Sequence, residues 1–420
     1  MNPWKAISLP RMLVATLLLQ LPAGAGAQTD PPKMFTVTTD KVENGSLSIT
    51  PTVPEDGKLA AGTVLTVKLT PAAGYALDSG YFTTPGPWGR AYHEFASSEF
   101  QVTLDQNKGI GASFIDQKAL AGFTVIQDVV YAQPGVKKLK YDVFSPVGAK
   151  NLPFIVIIHG GGWTSNTEDV MRGLARELVR GGGYVVVSMD YRWLGTRDGD
   201  TVPNTMANLI EDVYGAIAHL QEHAQAYGAD PSRIAVTGDS AGGHLSAAAI
   251  NLAGQIGDGG FGVKEGVYQF KPTYLPAGKT ASQARQEILS AIKVAAPSYG
   301  VFGGGMLAGF GGRRNGTTSP DATIKAVAPQ ENVPNIKDRT VPQYLLRGTT
   351  DPLIPDAAVQ AYADALKAAG QTVVYEQVEG ASHAFFDWKP DAGTKATFAK
   401  FGVPYAAKMK AFFDGVFYPK

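Results

Sequence analysis

The most constraining feature of this sequence is a β-type run that leads through a Gly-x-Ser-x-Gly turn into an alanine-rich run. Arg233–Val236 has the apolar character of a buried strand, and residues 244–249 have that of a helix. A sharp turn between strand and helix needs small residues around its centre, and Gly238 and Gly242 supply them. The pattern predicts that Ser240 is exposed above a strand end, near the free N–H groups of the following helix.

Consecutive glycines after another buried strand indicate a place where negative charge can be stabilised. Phe154–Ile158 is a continuous apolar run, as expected of a parallel strand covered on both faces, and Gly160–Gly162 follow it closely. Ligands bind at the carboxyl ends of strands in open α/β sheets. The N–H groups of Gly161, Gly162 and Ala241 are therefore candidates for an oxyanion hole, where one donor typically lowers a barrier by about 3 kcal/mol.

Two further polar residues also follow strand-like runs. Asp351 comes at a turn after Leu345–Gly348, and His383 lies in a glycine-containing loop after Val373–Tyr375. With Ser240 they come in the order Ser, Asp, His, which is the order of α/β-hydrolases rather than that of the chymotrypsin or subtilisin folds. The sequence thus predicts a catalytic triad of these three residues.

Other acids and histidines fit these roles less well. Asp356 is the rival of Asp351, but it comes where it would cap the following helix. His244 lies on the helix behind the nucleophile turn, His159 precedes the glycines and is expected to orient their loop, and His93 lies far upstream. Because a triad base must approach from across the end of the sheet, elimination favours His383.

The chain resembles α/β-hydrolase carboxylesterases, and is similar to the hormone-sensitive-lipase-like and feruloyl/acetyl (hemicellulose) esterases. The resemblance covers about residues 118–420 and rests on five segments in order: His159–Trp163, Asp190–Arg192, Gly238–Leu245, Asp351–Leu353 and Gly380–Phe385. Hormone-sensitive-lipase relatives usually continue Asp-Tyr-Arg with Ala-Pro-Glu, whereas Trp193–Gly195 follows here. The triad is unaffected by this departure, but the substrate is left open.

The fold class predicted for residues 118–420 is α/β, of the α/β-hydrolase type, with a mostly parallel sheet and helices on both faces. Strand-like runs alternate there with helical runs, which is typical of that architecture. Residues 254–340 are rich in glycine and predict an insert or lid over the carboxyl edge of the sheet, interrupted by a core strand over Ile292–Ala296.

Residues 28–117 predict a small all-β accessory domain that resembles the β repeat domains of secreted bacterial proteins. Phe35–Thr39 and Phe100–Leu104 alternate apolar with polar residues, and Asn44-Gly45 indicates a turn. The domain could bind a carbohydrate or a surface, act as a spacer, or pack beside the substrate cleft. One hypothesis is that Trp88 and Tyr92 lie on a loop that touches the cleft.

Residues 1–27 predict a cleavable signal peptide, and therefore a secreted or periplasmic protein. Lys5 and Arg11 precede or flank an apolar run, Met12–Leu21, that is too short to span a bilayer. Ala25–Ala27 predicts cleavage after Ala27. The chain has no cysteine, which excludes disulfides, cysteine nucleophiles and cysteine-ligated metals.

Composition and spacing argue against several other partners. With 37 basic and 37 acidic residues, the chain has no bias towards nucleic acid or a membrane surface. His219, Glu222 and His223 match an inverted zinc-protease pattern, but no third ligand is evident, so a solvated helix face is favoured. We expect no metal and no cofactor. The oligomeric state stays open.

These features predict a secreted serine carboxylesterase acting on small-acyl or aromatic (feruloyl-type) esters, free or linked to polysaccharide. Large apolar side chains are candidates for the substrate pocket: Trp163, Trp193, Tyr299, Phe302 and Phe385. The alternatives are a serine exopeptidase of the same fold and a non-catalytic binding protein on a hydrolase scaffold.

Overall fold

The computed structural model describes residues 32–86, 89–262, 264–315 and 321–419. The predicted signal peptide, residues 1–27, and Trp88 lie outside the described residues. A β-rich region precedes a larger α/β part, and each has its own hydrophobic core. The predicted fold class is confirmed. Within the described ranges, no helix combines the length and the apolar character needed to cross a bilayer.

The N-terminal β region contains two sheets that pack around one core. Its strands are β1 (Met34–Thr39), β2 (Gly45–Thr50), β3 (Lys58–Ala60), β4 (Val64–Pro71), β5 (Tyr75–Gly86), β6 (Gly89–Phe95), β7 (Glu99–Thr103) and β8 (Lys108–Asp116). The strand orders are β3-β1-β8-β5-β6 and β2-β4-β7. Alternate residues of β4, such as Leu65 and Val67, are buried between the sheets, as the period-two pattern predicts.

The α/β part is built on an eight-stranded sheet in the order β18-β17-β16-β13-β11-β12-β10-β9. Its strands are β9 (Phe123–Ala132), β10 (Leu139–Pro146), β11 (Leu152–Ile158), β12 (Val185–Met189), β13 (Ala229–Asp239), β16 (Ile292–Ser298), β17 (Gln343–Gly348) and β18 (Val373–Val378). Pairing is parallel except where β10 meets β9 and β12. A separate ladder joins β14 (Gly260–Phe261) and β15 (Tyr268–Gln269).

Two groups of helices cover the sheet, with α1 packed on α9 and α2 packed on α3 and α4. The helices are α1 (Arg172–Val179), α2 (Met206–His223), α3 (Ala241–Asn251), α4 (Ala281–Ala291), α5 (Gly304–Asn315), α6 (Asp321–Val327), α7 (Asp356–Ala368), α8 (Ala392–Thr397) and α9 (Val403–Phe417). Thr205 and Thr280 begin α2 and α4 with capping boxes, because each hydroxyl accepts a backbone N–H of the first turn.

The stretch predicted as an insert, residues 254–340, contains two elements of the α/β core. Helix α4 packs against α2 and β13, and β16 is a central strand. The glycine-rich run that begins at Val301 is largely helical, since it forms α5. What lies outside the sheet layers is therefore the β14–β15 ladder together with α5 and α6.

A buried ionic group joins the β region to the α/β part. We call it the Asp78 cluster, and it consists of Asp78, Arg172, Arg176, Trp388 and Lys395. Asp78 on β5 accepts hydrogen bonds from Arg172 Nε at 3.1 Å, Arg176 Nη2 at 2.7 Å and Trp388 Nε1 at 3.2 Å. Burial acts to raise the pKa of Asp78, but the charges of Arg172, Arg176 and Lys395 hold it far below its usual range.

Candidate active site

Ser240 occupies the sharp turn between β13 and α3. Its backbone has φ 52° and ψ −113°, a conformation that costs a non-glycine residue about 1–3 kcal/mol. Gly238 and Gly242 permit the turn, because a Cβ atom on either residue would overlap the carbonyl oxygen of Ile158. The Ser240 N–H is bonded to the Ser298 carbonyl at 3.0 Å, which holds the turn against β16. The strand, turn and helix occur where the sequence predicts them.

The three residues predicted as a triad are brought into one hydrogen-bonded chain. Ser240 Oγ lies 2.9 Å from His383 Nε2, and His383 Nδ1 lies 2.8 Å from Asp351 Oδ2. The other carboxylate oxygen of Asp351 accepts the N–H groups of Leu353 and Ile354 at 2.8 and 3.0 Å. Burial acts to raise the pKa of Asp351, but His383 and these N–H groups lower it below its ordinary value. An ionised Asp351 suits a partner that orients imidazole.

The rival residues have other roles. The expectation that Asp356 caps a helix is wrong, because Pro355 occupies the N-cap position of α7 and makes no side-chain capping bond. Asp356 instead accepts hydrogen bonds from Tyr375 and Gln377. His244 is buried between Trp163 Nε1 at 3.3 Å and the Val327 carbonyl at 2.9 Å. Burial lowers the pKa of His244 to about 4, so it stays neutral.

The glycine loop predicted to supply oxyanion donors lies beside Ser240. Gly161 has φ 109°, a conformation that favours glycine, and both Gly161 and Gly162 line the same cavity as Ser240. His159 orients the loop as expected, with Nδ1 at 2.6 Å from the Gly160 carbonyl. Ala241 is the first residue of α3, where N–H groups have no intrahelical partner.

A pair of buried carboxyl groups connects the loops of the site. Asp239 Oδ1 accepts the Gly160 N–H at 2.7 Å, and Asp239 is also hydrogen-bonded to Asp387. Burial first, and then the neighbouring Asp387 carboxylate, raise the pKa of Asp239 well above its ordinary value. Burial and this neighbour therefore favour the protonated form of Asp239. It ties the glycine loop to the nucleophile turn and to the loop that carries His383.

Replacing Asp239 with Asn is expected to stabilise the protein increasingly as pH rises above about 4. A carboxyl whose folded pKa is raised binds more protons in the folded state, so its stability contribution falls between the unfolded pKa of about 3.9 and the raised folded value. Asn keeps the Gly160 bond without that loss. The measurement is urea unfolding of both proteins at pH 4, 6 and 8. A difference independent of pH would mean that Asp239 is ionised in the folded protein.

A cavity of about 500 Å³ opens beside Ser240 and His383. Trp163 and Trp193 line it, as predicted. The expectation is wrong for Tyr299, Phe302 and Phe385, which are each at most 1% exposed and do not line it. Tyr299 packs behind His383 with ring centroids 4.9 Å apart, and Phe302 stacks on Tyr362. These rings support the site from the core.

Residues of the N-terminal β region line the cavity as well. Strand β6 contributes six consecutive lining residues: Gly89, Arg90, Ala91, Tyr92, His93 and Glu94. Tyr92 therefore touches the cavity, as one hypothesis expected, but it does so from strand β6 and not from a loop. The sequence analysis did not identify the other lining residues of β6. It also did not identify Lys140, Glu168 and Asp169, which line the cavity from the α/β part. The charged residues of this set are marked in the sequence only by a charge next to a strand or turn, and Ala91 has no such signal.

The side chains of the His219–His223 pattern on α2 make hydrogen bonds, and its two histidines stack on one another. His219 Nδ1 lies 2.7 Å from the Tyr141 hydroxyl, and Glu222 accepts a hydrogen bond from Tyr274. The two imidazoles stack with centroids 4.2 Å apart. Across the described parts of the chain, no cluster of three or more histidine and carboxylate side chains is placed to hold a metal ion.

Comparisons with known proteins point to ester hydrolases. The BD-FAE family model matches residues 141–258, and the dienelactone hydrolase family model matches residues 278–413. Carboxylesterase NlhH of Mycobacterium tuberculosis is 40% identical over 112 residues, which is 27% of this chain and 33% of that protein. Esterase LipQ of the same species is 28% identical over 248 residues, or 56% of this chain and 51% of LipQ. The chain thus spans a third to a half of these curated relatives.

A solved structure extends the likeness over most of the α/β part. The esterase Est2 of Thermogutta terrifontis with propionate bound is 25% identical, with a TM-score of 0.52, and the match covers 72% of this chain and 97% of that one. The BD-FAE match includes the Ser240 turn, and the dienelactone hydrolase match includes Asp351 and His383. The chain has the α/β-hydrolase fold and is similar to carboxylesterases.

Proposed function

We propose that the protein is a serine carboxylesterase that hydrolyses small-acyl or aromatic, feruloyl-type esters through an acyl-enzyme, without a cofactor. The observation that carries the proposal is the hydrogen-bonded chain from Ser240 through His383 to Asp351 at the wall of the cavity. Similar proteins named as a carboxylesterase and as an esterase support the same reaction class.

In the first half of the reaction, Ser240 Oγ attacks the ester carbonyl while His383 Nε2 takes its proton. Asp351 accepts the Nδ1–H of His383, which fixes the tautomer and stabilises the imidazolium that forms. The tetrahedral oxyanion is stabilised by the N–H groups of Gly161, Gly162 and Ala241. His383 then protonates the leaving alcohol, and the acyl-enzyme forms.

In the second half, a water molecule attacks the acyl carbonyl while His383 Nε2 removes a proton from that water. Collapse of the second tetrahedral intermediate returns the proton to Ser240 and releases the acid. The strained turn at Ser240 keeps Oγ in place throughout, so little reorganisation is needed between the two steps.

The cavity wall supports an ester with an apolar portion. Trp163 and Phe310 line the cavity with their ring centroids 6.5 Å apart. Val301, Leu353 and Ile354 line it as well. We propose small or aromatic acyl groups for this apolar wall, on a free or polysaccharide-linked ester. The predicted signal peptide supports action outside the cytoplasm, in the periplasm or the medium.

The proposal is tested by measuring kcat/KM for p-nitrophenyl esters from acetate to palmitate and for methyl ferulate. We expect hydrolysis of the short esters and of methyl ferulate, and a fall of at least tenfold by palmitate, because charged side chains such as Lys140 and Asp169 share the cavity wall and a long hydrocarbon chain would desolvate them without replacing their hydrogen bonds. Hydrolysis of none of these esters would contradict the proposed function. A preference for palmitate would contradict the proposed acyl class alone.

A further inference from the structure

The N-terminal β region builds one wall of the cavity that contains Ser240. Strand β6 presents Arg90, Tyr92 and Glu94 to that cavity, while Ser240 and His383 reach it from the α/β part. A substrate bound at Ser240 therefore meets side chains of both parts. This placement gives the β region a direct route to influence which esters are hydrolysed.

Buried hydrogen bonds fix β6 relative to the α/β part. Arg172 connects the two, because its Nη2 donates to Glu94 Oε2 at 2.6 Å and its Nε donates to Asp78 Oδ1 at 3.1 Å. Such charge-assisted bonds, away from water, are strong and geometrically specific. Two neighbours orient Tyr92 in turn. The Tyr81 ring packs against it with ring centroids 5.3 Å apart, and the Arg90 guanidinium lies 5.6 Å from the centroid of the Tyr92 ring.

The segment that follows His383 connects the β region with the His383 side of Ser240. His383 protonates the leaving alcohol, so the alcohol departs on the side of Ser240 where His383 lies. The chain that follows His383 reaches the β region, since Trp388 Nε1 donates to Asp78 and Lys395 Nζ donates to Ser113 Oγ at 2.5 Å. Lys389, from the same segment, lines the cavity together with Tyr92.

Charges on this wall already have partners within the protein. Arg90 pairs with Asp40 at 2.7 Å, Glu94 pairs with Arg172 at 2.6 Å, and Lys389 pairs with Asp387 at 3.0 Å. Among these three side chains, an alcohol that carried its own ionic charge would thus meet no uncompensated opposite charge to offset its desolvation. A neutral alcohol rich in hydroxyl or ester oxygens can instead exchange hydrogen bonds with polar side chains of the cavity wall, to which Tyr92 contributes an uncharged donor and acceptor.

We propose that Tyr92 of the β region is a specificity-determining residue that favours esters of neutral, oxygen-rich alcohols over esters of charged or purely hydrocarbon alcohols. The proposal rests on the ester hydrolysis proposed above. It assigns the β region a place in substrate selection, which a spacer or a remote binding module would not have.

The test uses acetate esters, so that the acyl group is constant and only the alcohol varies. The probes are phenyl acetate, xylose tetraacetate and acetylcholine, and kcat/KM is measured for the wild type, Tyr92→Ala, Tyr92→Phe and a control, Lys68→Ala. Lys68 lies on β4 of the same region, and its side chain is 63% exposed. Thermal unfolding of each variant accompanies the kinetics.

We expect the wild type to favour xylose tetraacetate over acetylcholine, and Tyr92→Ala to lower the ratio of xylose tetraacetate to phenyl acetate by about fivefold or more. Loss of one hydrogen bond of about 1 kcal/mol corresponds to about fivefold, so Tyr92→Phe should show that part alone. Lys68→Ala should keep the wild-type ratio.

Two results would overturn the inference: an unchanged ratio in both Tyr92 variants, or a wild-type preference for acetylcholine. If Tyr92→Ala does not fold, Tyr92→Phe decides, because it keeps the ring that packs on Tyr81. Hydrolysis of phenyl acetate by the wild type reports separately on the proposed function, so the two ideas fail by different readouts.

Discussion

Replacing Ser240 with Ala is expected to lower kcat for every ester by about 10⁴–10⁶-fold, because the atom that forms the acyl-enzyme is removed. His383 and Asp351 keep each other as partners in this variant, since their 2.8 Å bond does not involve Ser240. Residual rate would come from the oxyanion donors and from substrate binding. The measurement is steady-state hydrolysis of p-nitrophenyl acetate, with a burst phase sought in the wild type.

Ser290→Ala is the matched control for this substitution. Ser290 lies on α4, is exposed, and donates only to the Glu287 carbonyl, so its loss should leave kcat unchanged. Folding of both variants is compared by thermal unfolding. If Ser240→Ala kept more than about a tenth of the wild-type rate, hydrolysis would have to proceed without an acyl-serine, and the mechanism proposed above would be wrong.

Replacing Asp78 with Ala is expected to reduce the free energy of unfolding by about 3–5 kcal/mol, because it leaves Arg172 and Arg176 buried without their shared partner. The side chains of Asp78 and Arg172 are 0% and 3% exposed, so water cannot replace the lost bonds without opening the junction. The measurement is urea unfolding at pH 7, followed by circular dichroism and by activity.

Asp364→Ala provides the control for charge alone. Asp364 pairs with Lys367 at 3.5 Å, and both side chains are about 60% exposed, so its removal should change the stability by less than about 1 kcal/mol. Equal effects of the two substitutions would mean that the junction is hydrated in solution. In that case β6 would not be held firmly against the cavity.

The grouping of Ser240, His383 and Asp351 could be predicted because each residue follows a strand in a short, recognisable string. Parallel strands end at the same edge of a sheet, so residues distant in sequence, such as Ser240 and His383, are brought together there. The glycines around Ser240 were equally informative, since the backbone of Ile158 leaves no room for a side chain.

The pocket walls could not be predicted in the same way. An aromatic residue next to a catalytic loop can face either the cavity or the core, and Tyr299 and Phe385 pack in the core beside Phe386. The period-two pattern of the β region identifies which face of a strand is apolar, but not what the other face contacts. The contribution of β6 to the cavity therefore required the three-dimensional packing.

The Asp78 cluster divides its charges between two parts of the chain: the acid comes from the β region, and its basic partners come from α1 and α8. Without the α/β part, Asp78 would lose its basic partners, and without the β region those basic side chains would lose Asp78. Recombination that exchanged either part for a homologous one would have to transfer the matching residues with it. The two parts are thus expected to be inherited as one unit, and grafting the β region onto another hydrolase would also require Arg172, Arg176 and Lys395.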